Sequence, residues 1–239
     1  MIGPRLTRGV AVLAAVLGLV GCALDETSGQ RALESHSRIQ RPQTSGPFAA
    51  ILLVPGCRGV TPARLQTATE LVSRGYLVAF VDYVAAHGRA GPCASEVSAG
   101  DIARDIRALS AHVRSLADVR ASAIGVIGWS LGGAGVLASL VGVEFDRQPP
   151  FDAAVVFYPV CRGLLPWKTS VPTLLLLAGQ DQMAPPADCE DVVLRSAGRV
   201  RIQTYVDARH GFDTPDDLQP EAAREAWSET LLHLQARLP

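Results

Sequence analysis

Ala123-Ile124-Gly125-Val126-Ile127-Gly128-Trp129-Ser130-Leu131-Gly132-Gly133-Ala134-Gly135-Val136-Leu137-Ala138 is the stretch that decides the fold. Its first five residues form an apolar run of β-type character, and Gly133 to Ala138 form a small-residue helical run. Between them stands G-x-S-x-G, Gly128 to Gly132. A serine at such a strand-to-helix junction is held in a strained backbone conformation, and the glycines on either side leave room for the sharp bend. Ser130 then lies exposed at a helix N-terminus, where the Leu131 N–H faces any oxyanion that develops on a bound group. The bland counterpart is a glycine-rich turn carrying an ordinary serine, so the neighbouring elements must arbitrate.

Outward from this turn the chain alternates strand-like and helix-like segments. Ala49 to Val54 is an apolar run stopped by Pro55-Gly56. Pro62 to Arg74 carries Leu65, Ala68, Leu71 and Val72 at helical spacing and closes at Gly75. Tyr76 to Val81 is the next strand, and a loop from Asp82 to Ser98 follows. Asp101 to Leu116 repeats apolar residues at Ile102, Ile106, Leu109 and Val113, a helix stripe. Beyond the central turn, Ala153 to Tyr158 and Thr173 to Ala178 are nearly continuous apolar runs, as parallel strands covered on both faces require. Asp188 to Ser196 reads as helix, Arg201 to Val206 as a last strand, and Pro215 to Leu238 as a long terminal helix. Alternating β and α elements imply a mostly parallel central sheet with helices on both faces and right-handed crossovers. Chemistry in such folds lies at the carboxyl ends of the strands.

Three strand ends carry the residues for it. Ser130 follows one strand, Asp181 follows the Leu-rich strand, and His210 lies just past the last. A serine hydroxyl is a poor nucleophile at neutral pH, so a histidine must take its proton and later return it to the leaving group. A carboxylate then holds the imidazole tautomer and stabilises the imidazolium. Asp207 is a rival acid close to His210, but it lies on the wrong element. The second oxyanion donor is expected from Pro55-Gly56-Cys57-Arg58-Gly59, with the Cys57 N–H as candidate beside Leu131. Arg58 and Trp129 are expected to line a substrate pocket, with Tyr83 and Trp167 as further candidates. A guanidinium at Arg58 suits a substrate carboxylate. His87, His112 and His233 read as solvated or partly packed.

Residues 1–21 read as an export signal: Arg5 and Arg8 precede an apolar run from Gly9 to Gly21. Leu19-Val20-Gly21-Cys22 resembles the lipobox of bacterial lipoprotein signal peptides, which makes Cys22 the expected site of lipidation. Residues 22–47 read as the lipidated cysteine and a polar tether, and residues 48–239 as one domain. The expected location is the cell envelope, on the periplasmic face of the outer membrane through the anchor at Cys22, or otherwise the periplasm. A formal net charge of −1 with scattered arginines argues against a nucleic-acid surface. Cys57, Cys93, Cys161 and Cys189 read as two disulfides in an exported chain, with three connectivities open. None of these cysteines shows close C-x-x-C spacing, so no metal is expected. No cofactor is expected either, and a monomer is favoured.

The order Ser130, Asp181, His210, together with Pro55-Gly56-Cys57-Arg58-Gly59, Gly75 to Asp82 and Phe157-Tyr158-Pro159, resembles the dienelactone hydrolase family. The resemblance implies an α/β-hydrolase fold without a large cap domain, hydrolysis of small-molecule esters or lactones, and pairing of Cys57 with Cys93 and of Cys161 with Cys189. This chain departs from the best-studied members. They use a cysteine nucleophile, where Ser130 stands here, and a glutamate in the loop that here offers Arg58. The departures favour a broader esterase over a dienelactone-specific enzyme. A small serine peptidase or amidase, and a non-catalytic envelope lipoprotein that uses a hydrolase-like domain for binding, are the competing readings.

Overall fold

The computed structural model describes residues 37–87, 93, 97–141, 150–166 and 168–238. The expected signal segment and Cys22 lie outside the described residues, as does Trp167. Seven strands form one sheet: β1 Ile39–Gln40, β2 Phe48–Val54, β3 Leu77–Phe80, β4 Val119–Trp129, β5 Ala153–Phe157, β6 Lys168–Ala178 and β7 Ala197–Tyr205. Their order is β1-β3-β2-β4-β5-β6-β7, and every pairing is parallel except that of β1 with β3. The helices are α1 Pro62–Ser73, α2 Tyr83–Ala86, α3 Ala99–Ser115, α4 Ser130–Ser139, α5 Pro186–Leu194 and α6 Pro220–Gln235.

Period-two alternation divides the core. Ala50, Leu52 and Val54 of β2 face one cluster, with Ile102, Ile106 and Leu109 of α3 and Val136 and Leu137 of α4. Ala49, Ile51 and Leu53 face the other, with Ala68 and Leu71 of α1 and Ala226 and Leu234 of α6. Every residue of β2 is buried, which is why its sequence is apolar throughout. The expected mostly parallel sheet with helices on both faces is therefore present. Among the described residues no further domain covers the carboxyl ends of the strands.

The folded part begins before Phe48, where the tether was expected to end. Ile39 and Gln40 pair with Ala79 and Val78, and Arg41 Nε donates to Asp118 Oδ2 at 2.7 Å. A two-residue edge strand is too short to show periodicity, and it forms because β3 otherwise leaves an open edge. Other boundaries move for local reasons. α3 starts at Ala99 and not Asp101, because Ser98 and Asp101 form a capping box. The loop expected from Asp82 opens with the short α2, whose N-cap Asp82 accepts the Ala85 N–H. α6 starts at Pro220 and not Pro215, since Phe212 O accepts the Gln219 N–H and Gly211 O the Thr214 N–H, which keeps 211–217 in turns. Pro220 then occupies the first turn, where its missing N–H is harmless. β4 and β6 extend past the expected runs to Val119 and Lys168, with exposed residues on their early halves.

The sheet order reverses between β2 and β4. The chain leaves β2 for α1 on one face and leaves β4 for α4 on the other. A crevice opens at such a switch point, between the loop after Val54 and the turn at Ser130. Two disulfides tie the surrounding loops, Cys57–Cys93 and Cys161–Cys189, in the pairing that the resemblance implied.

His233 is buried on α6, and its Nε2–H donates to the Pro172 carbonyl at 3.1 Å. It was expected to be solvated or partly packed, and the turn of α6 onto the sheet encloses it instead. Burial pushes its pKa down from 6.5 to about 4, helped by nearby Arg237. The unfolded chain therefore takes up a proton below pH 6.5 that the folded protein refuses until about pH 4. The contribution of the neutral ring is fully present above pH 6.5 and is lost as pH falls from 6.5 towards 4. His233→Gln should accordingly show a smaller drop in Tm between pH 7 and 4.5 than the wild type, measured by thermal circular dichroism. An equal drop in both proteins would show that this ring does not contribute.

Candidate active site

Ser130 sits at the first turn of α4 with φ +51°, a left-handed conformation that a non-glycine residue adopts only when its surroundings impose it. The flanking glycines explain how. A Cβ on Gly132 would stand 2.1 Å from the Pro55 carbonyl oxygen and 2.4 Å from that of Val54. A Cβ on Gly128 would stand 2.7 Å from Val136 Cγ2 and 2.9 Å from the Gly133 Cα. The turn therefore packs backbone against backbone, both within itself and against the end of β2.

The three residues separated in sequence meet here. Ser130 Oγ lies 2.9 Å from His210 Nε2, and His210 Nδ1 lies 2.6 Å from Asp181 Oδ2. A carboxylate oxygen accepts, so the imidazole carries its proton on Nδ1 and presents a lone pair on Nε2 to the serine hydroxyl. Asp181 Oδ1 accepts the backbone N–H groups of Met183 and Ala184 at 2.9 and 2.8 Å, which fixes the carboxylate in a buried site. The loops of Asp181 and His210 are bonded together, Gly179 N–H to Tyr205 O and Gln180 N–H to Ala208 O, each at 2.8 Å. Gln219, the N-cap of α6, clamps the same loop, accepting from Arg209 N–H and donating to Asp207 O. Asp207 points away, accepting from Gln180 Nε2 at 3.4 Å, so the rival acid has no part in the triad.

A cleft of about 450 Å³ opens over Ser130 and His210. Gly56, Cys57, Arg58, Thr61, Met183 and Thr214 are among its walls. The Pro55–Gly59 loop reaches Ser130, since a Cβ on Gly56 would lie 3.4 Å from Ser130 Cβ. Arg58 is on the wall as expected, but its guanidinium is exposed and bound to Asp216 at 2.8 Å. Trp129 borders the cleft with only a sliver of surface: 2% of the residue is exposed. Its ring lies between the Arg64 guanidinium, 4.1 Å from its centroid, and Phe157, stacked at 5.5 Å. Tyr83 is not a pocket residue; it is buried in the core beneath α3. His87 is half-exposed and pairs with Asp105 at 2.8 Å, away from the cleft.

Sequence reasoning missed a second buried group. Arg64 and Asp213 form an ion pair at 2.8 Å with side chains 6% and 13% exposed. Trp129 Nε1–H donates to Asp213 Oδ2 at 3.0 Å, the Tyr158 hydroxyl donates to Asp213 Oδ1, and Arg64 Nη2 lies 3.4 Å from that hydroxyl. One signal was present: Arg64 occupies the buried stripe of α1 with Ala68 and Leu71, where a charge must find a partner.

A parallel sheet, a strained serine at the switch point and a Ser130–His210–Asp181 constellation define an α/β-hydrolase. The sequence model of the dienelactone hydrolase family matches residues 36–238, and the chain belongs to that family. It is a hydrolase that acts on ester bonds. No curated protein matches the sequence. Among solved structures it is similar to a protein assigned as a dienelactone hydrolase from Klebsiella pneumoniae subsp. pneumoniae MGH 78578, with a TM-score of 0.71 and 18% identity over 83% of this chain and 92% of that one. It is also similar to esterase 2 of Thermogutta terrifontis, with a TM-score of 0.63 and 20% identity over 85% and 91% of the two chains.

The Gly132 contact gives a direct check. Gly132→Ala must push the turn off the Pro55 carbonyl, at a cost of about 1–3 kcal/mol for overpacking. The variant should melt at lower temperature and lose ester hydrolysis by about a hundredfold, as a misplacement near 1 Å does. Wild-type turnover in Gly132→Ala would mean that the turn and the β2 loop need not be in contact.

Proposed function

We propose that this protein is a serine esterase acting through an acyl-enzyme on small carboxylic esters or lactones. The observation that carries the reading is the unbroken chain of contacts from Asp181 through His210 to Ser130 Oγ, at 2.6 and 2.9 Å. Ser130 Oγ forms a bond to the ester carbonyl carbon while His210 Nε2 accepts the hydroxyl proton. The carbonyl oxygen becomes an oxyanion, with the N–H groups of Leu131 and Cys57 as its donors. Leu131 lies in the first turn of α4, where backbone N–H groups have no partner within the helix. Collapse of the intermediate breaks the bond to the alcohol oxygen, which leaves with the proton held by His210. Water then attacks the acyl-enzyme, His210 takes its proton, and the acid departs as Ser130 regains its hydrogen.

The size of the cleft suits a compact substrate, and both arginines near it are already paired with aspartates. That charge balance favours uncharged esters over acids for this cleft. Two disulfides support work in an oxidising compartment. We place the enzyme in the cell envelope, held to a membrane through lipid on Cys22. Incorporation of labelled palmitate that is lost in Cys22→Ser tests the anchor.

The mature protein should hydrolyse short p-nitrophenyl esters, and Ser130→Ala should lose about 10⁴-fold or more in kcat with an unchanged Tm. Wild-type turnover in Ser130→Ala would exclude the assignment. A panel of esters against aminoacyl amides ranks the acyl-transfer classes, with esters turned over faster.

A further inference from the structure

The carboxylate of Asp213, 13% exposed, receives hydrogen bonds from three side chains on three different elements. Arg64 reaches it from α1, which follows the Pro55–Gly59 loop, with Nη1–H to Oδ2 at 2.8 Å and Nη2–H to Oδ1 at 3.1 Å. Trp129, the residue before the nucleophile, donates from Nε1 at 3.0 Å. Tyr158, at the end of β5, donates from its hydroxyl. Asp213 itself lies three residues past His210, on the loop that carries the general base. One side chain therefore ties together the oxyanion-loop helix, the nucleophile turn and the histidine loop.

Its reach to the imidazole is short. The Tyr158 ring packs against His210 with centroids 4.8 Å apart at 61°, and Tyr158 is held at φ +34°. The phenol stays protonated, since burial and the Asp213 charge both push its pKa well up, so the hydroxyl remains a donor to Asp213. Asp213 is absent from the walls of the cleft over Ser130, although Arg64, Trp129 and Tyr158 border that cleft, and it opens instead onto a neighbouring cavity of about 290 Å³.

We propose that Asp213 is a positioning residue for the triad: its carboxylate, gripped by Arg64, Trp129 and Tyr158, sets the His210 loop against the nucleophile turn. His210 Nε2 then stays within hydrogen-bond reach of Ser130 Oγ as the proton moves between them. This inference rests on the serine-esterase reading above. Asp181 selects the tautomer of the imidazole, and Asp213 selects its place. A buried ion pair that served packing alone would be replaceable by apolar groups of similar volume. Position makes a different demand, since all three donors converge on one oxygen pair.

The test compares wild type with Tyr158→Phe, Asp213→Asn and the charge-neutral Arg64→Met/Asp213→Asn double variant. Three quantities are measured: the rate of Ser130 phosphonylation by a fluorophosphonate probe, kcat and KM for p-nitrophenyl butyrate, and Tm. Tyr158→Phe removes one hydroxyl and keeps the ring, so its Tm should stay within a few degrees of wild type. Phosphonylation and kcat should fall about 10-fold in Tyr158→Phe and about 100-fold in Asp213→Asn. KM should stay within twofold in both. The double variant removes both buried charges together, so it should regain Tm lost in Asp213→Asn without regaining kcat.

Retention of wild-type phosphonylation and kcat in Tyr158→Phe would overturn the proposal. So would recovery of wild-type kcat in the double variant, or a rise in KM at constant kcat. Should Asp213→Asn fail to fold, Tyr158→Phe and the double variant decide alone. Absence of labelling in the wild type, by contrast, would refute the serine-esterase reading itself and this inference with it.

Discussion

The close approach of two backbones, at Gly132 over the carbonyls of Val54 and Pro55, is the constraint on which the rest of the structure depends. It occurs where β2 and β4 lie side by side and their loops part to opposite faces of the sheet. The strain at Ser130, of order 1–3 kcal/mol for such a conformation, is sustained because β2 is buried along its whole length and the half of β4 that leads into the turn is buried and paired with it. β2 contributes all seven of its side chains to the two cores. A serine held this way loses little order when a ligand binds, since its position is set by the sheet.

Two carboxylates serve the imidazole from different sides. Asp181 is satisfied by two backbone N–H groups and His210, so its charge is stabilised by fixed dipoles and not by a cation. Asp213 is satisfied by a guanidinium, an indole and a phenol. A buried ion pair contributes little net stability once desolvation is counted, so a pair placed here acts through geometry more than through binding strength. The Cys57–Cys93 and Cys161–Cys189 bridges brace two of the loops that must hold still: the one facing Ser130, and the segment joining β5 to the region beyond Asp181.

The parts legible in the sequence were those with local causes. Apolar runs declare buried strands, and a residue just past such a run stands at the edge of the sheet; this is why the sequence places Ser130, Asp181 and His210 at strand ends, where the fold brings them into contact. The parts that were not legible had partners far away in the chain. Ile39 and Gln40 pair with β3 because an edge was open, which no pattern within two residues records. His233 looked like a helix surface residue until α6 lay over Pro172. Trp129 borders the cleft as expected, but the contacts of its ring with Arg64 and Phe157 had no local sign. Arg58 had a free look beside two glycines, yet Asp216 neutralises it across 158 positions of sequence.

Sequence by itself determined the alternation of strands and helices, the nucleophile turn and the order of the three triad residues, because hydrophobic period and glycine placement act within a few positions. Tertiary structure alone decided that Arg58 is paired with Asp216, and that Arg64, Trp129 and Tyr158 converge on Asp213. Those outcomes depend on contacts between residues 55 to 158 positions apart in the chain, and hydrogen bonds and charges act only across a few ångströms once the chain has closed (roughly 3–4 Å).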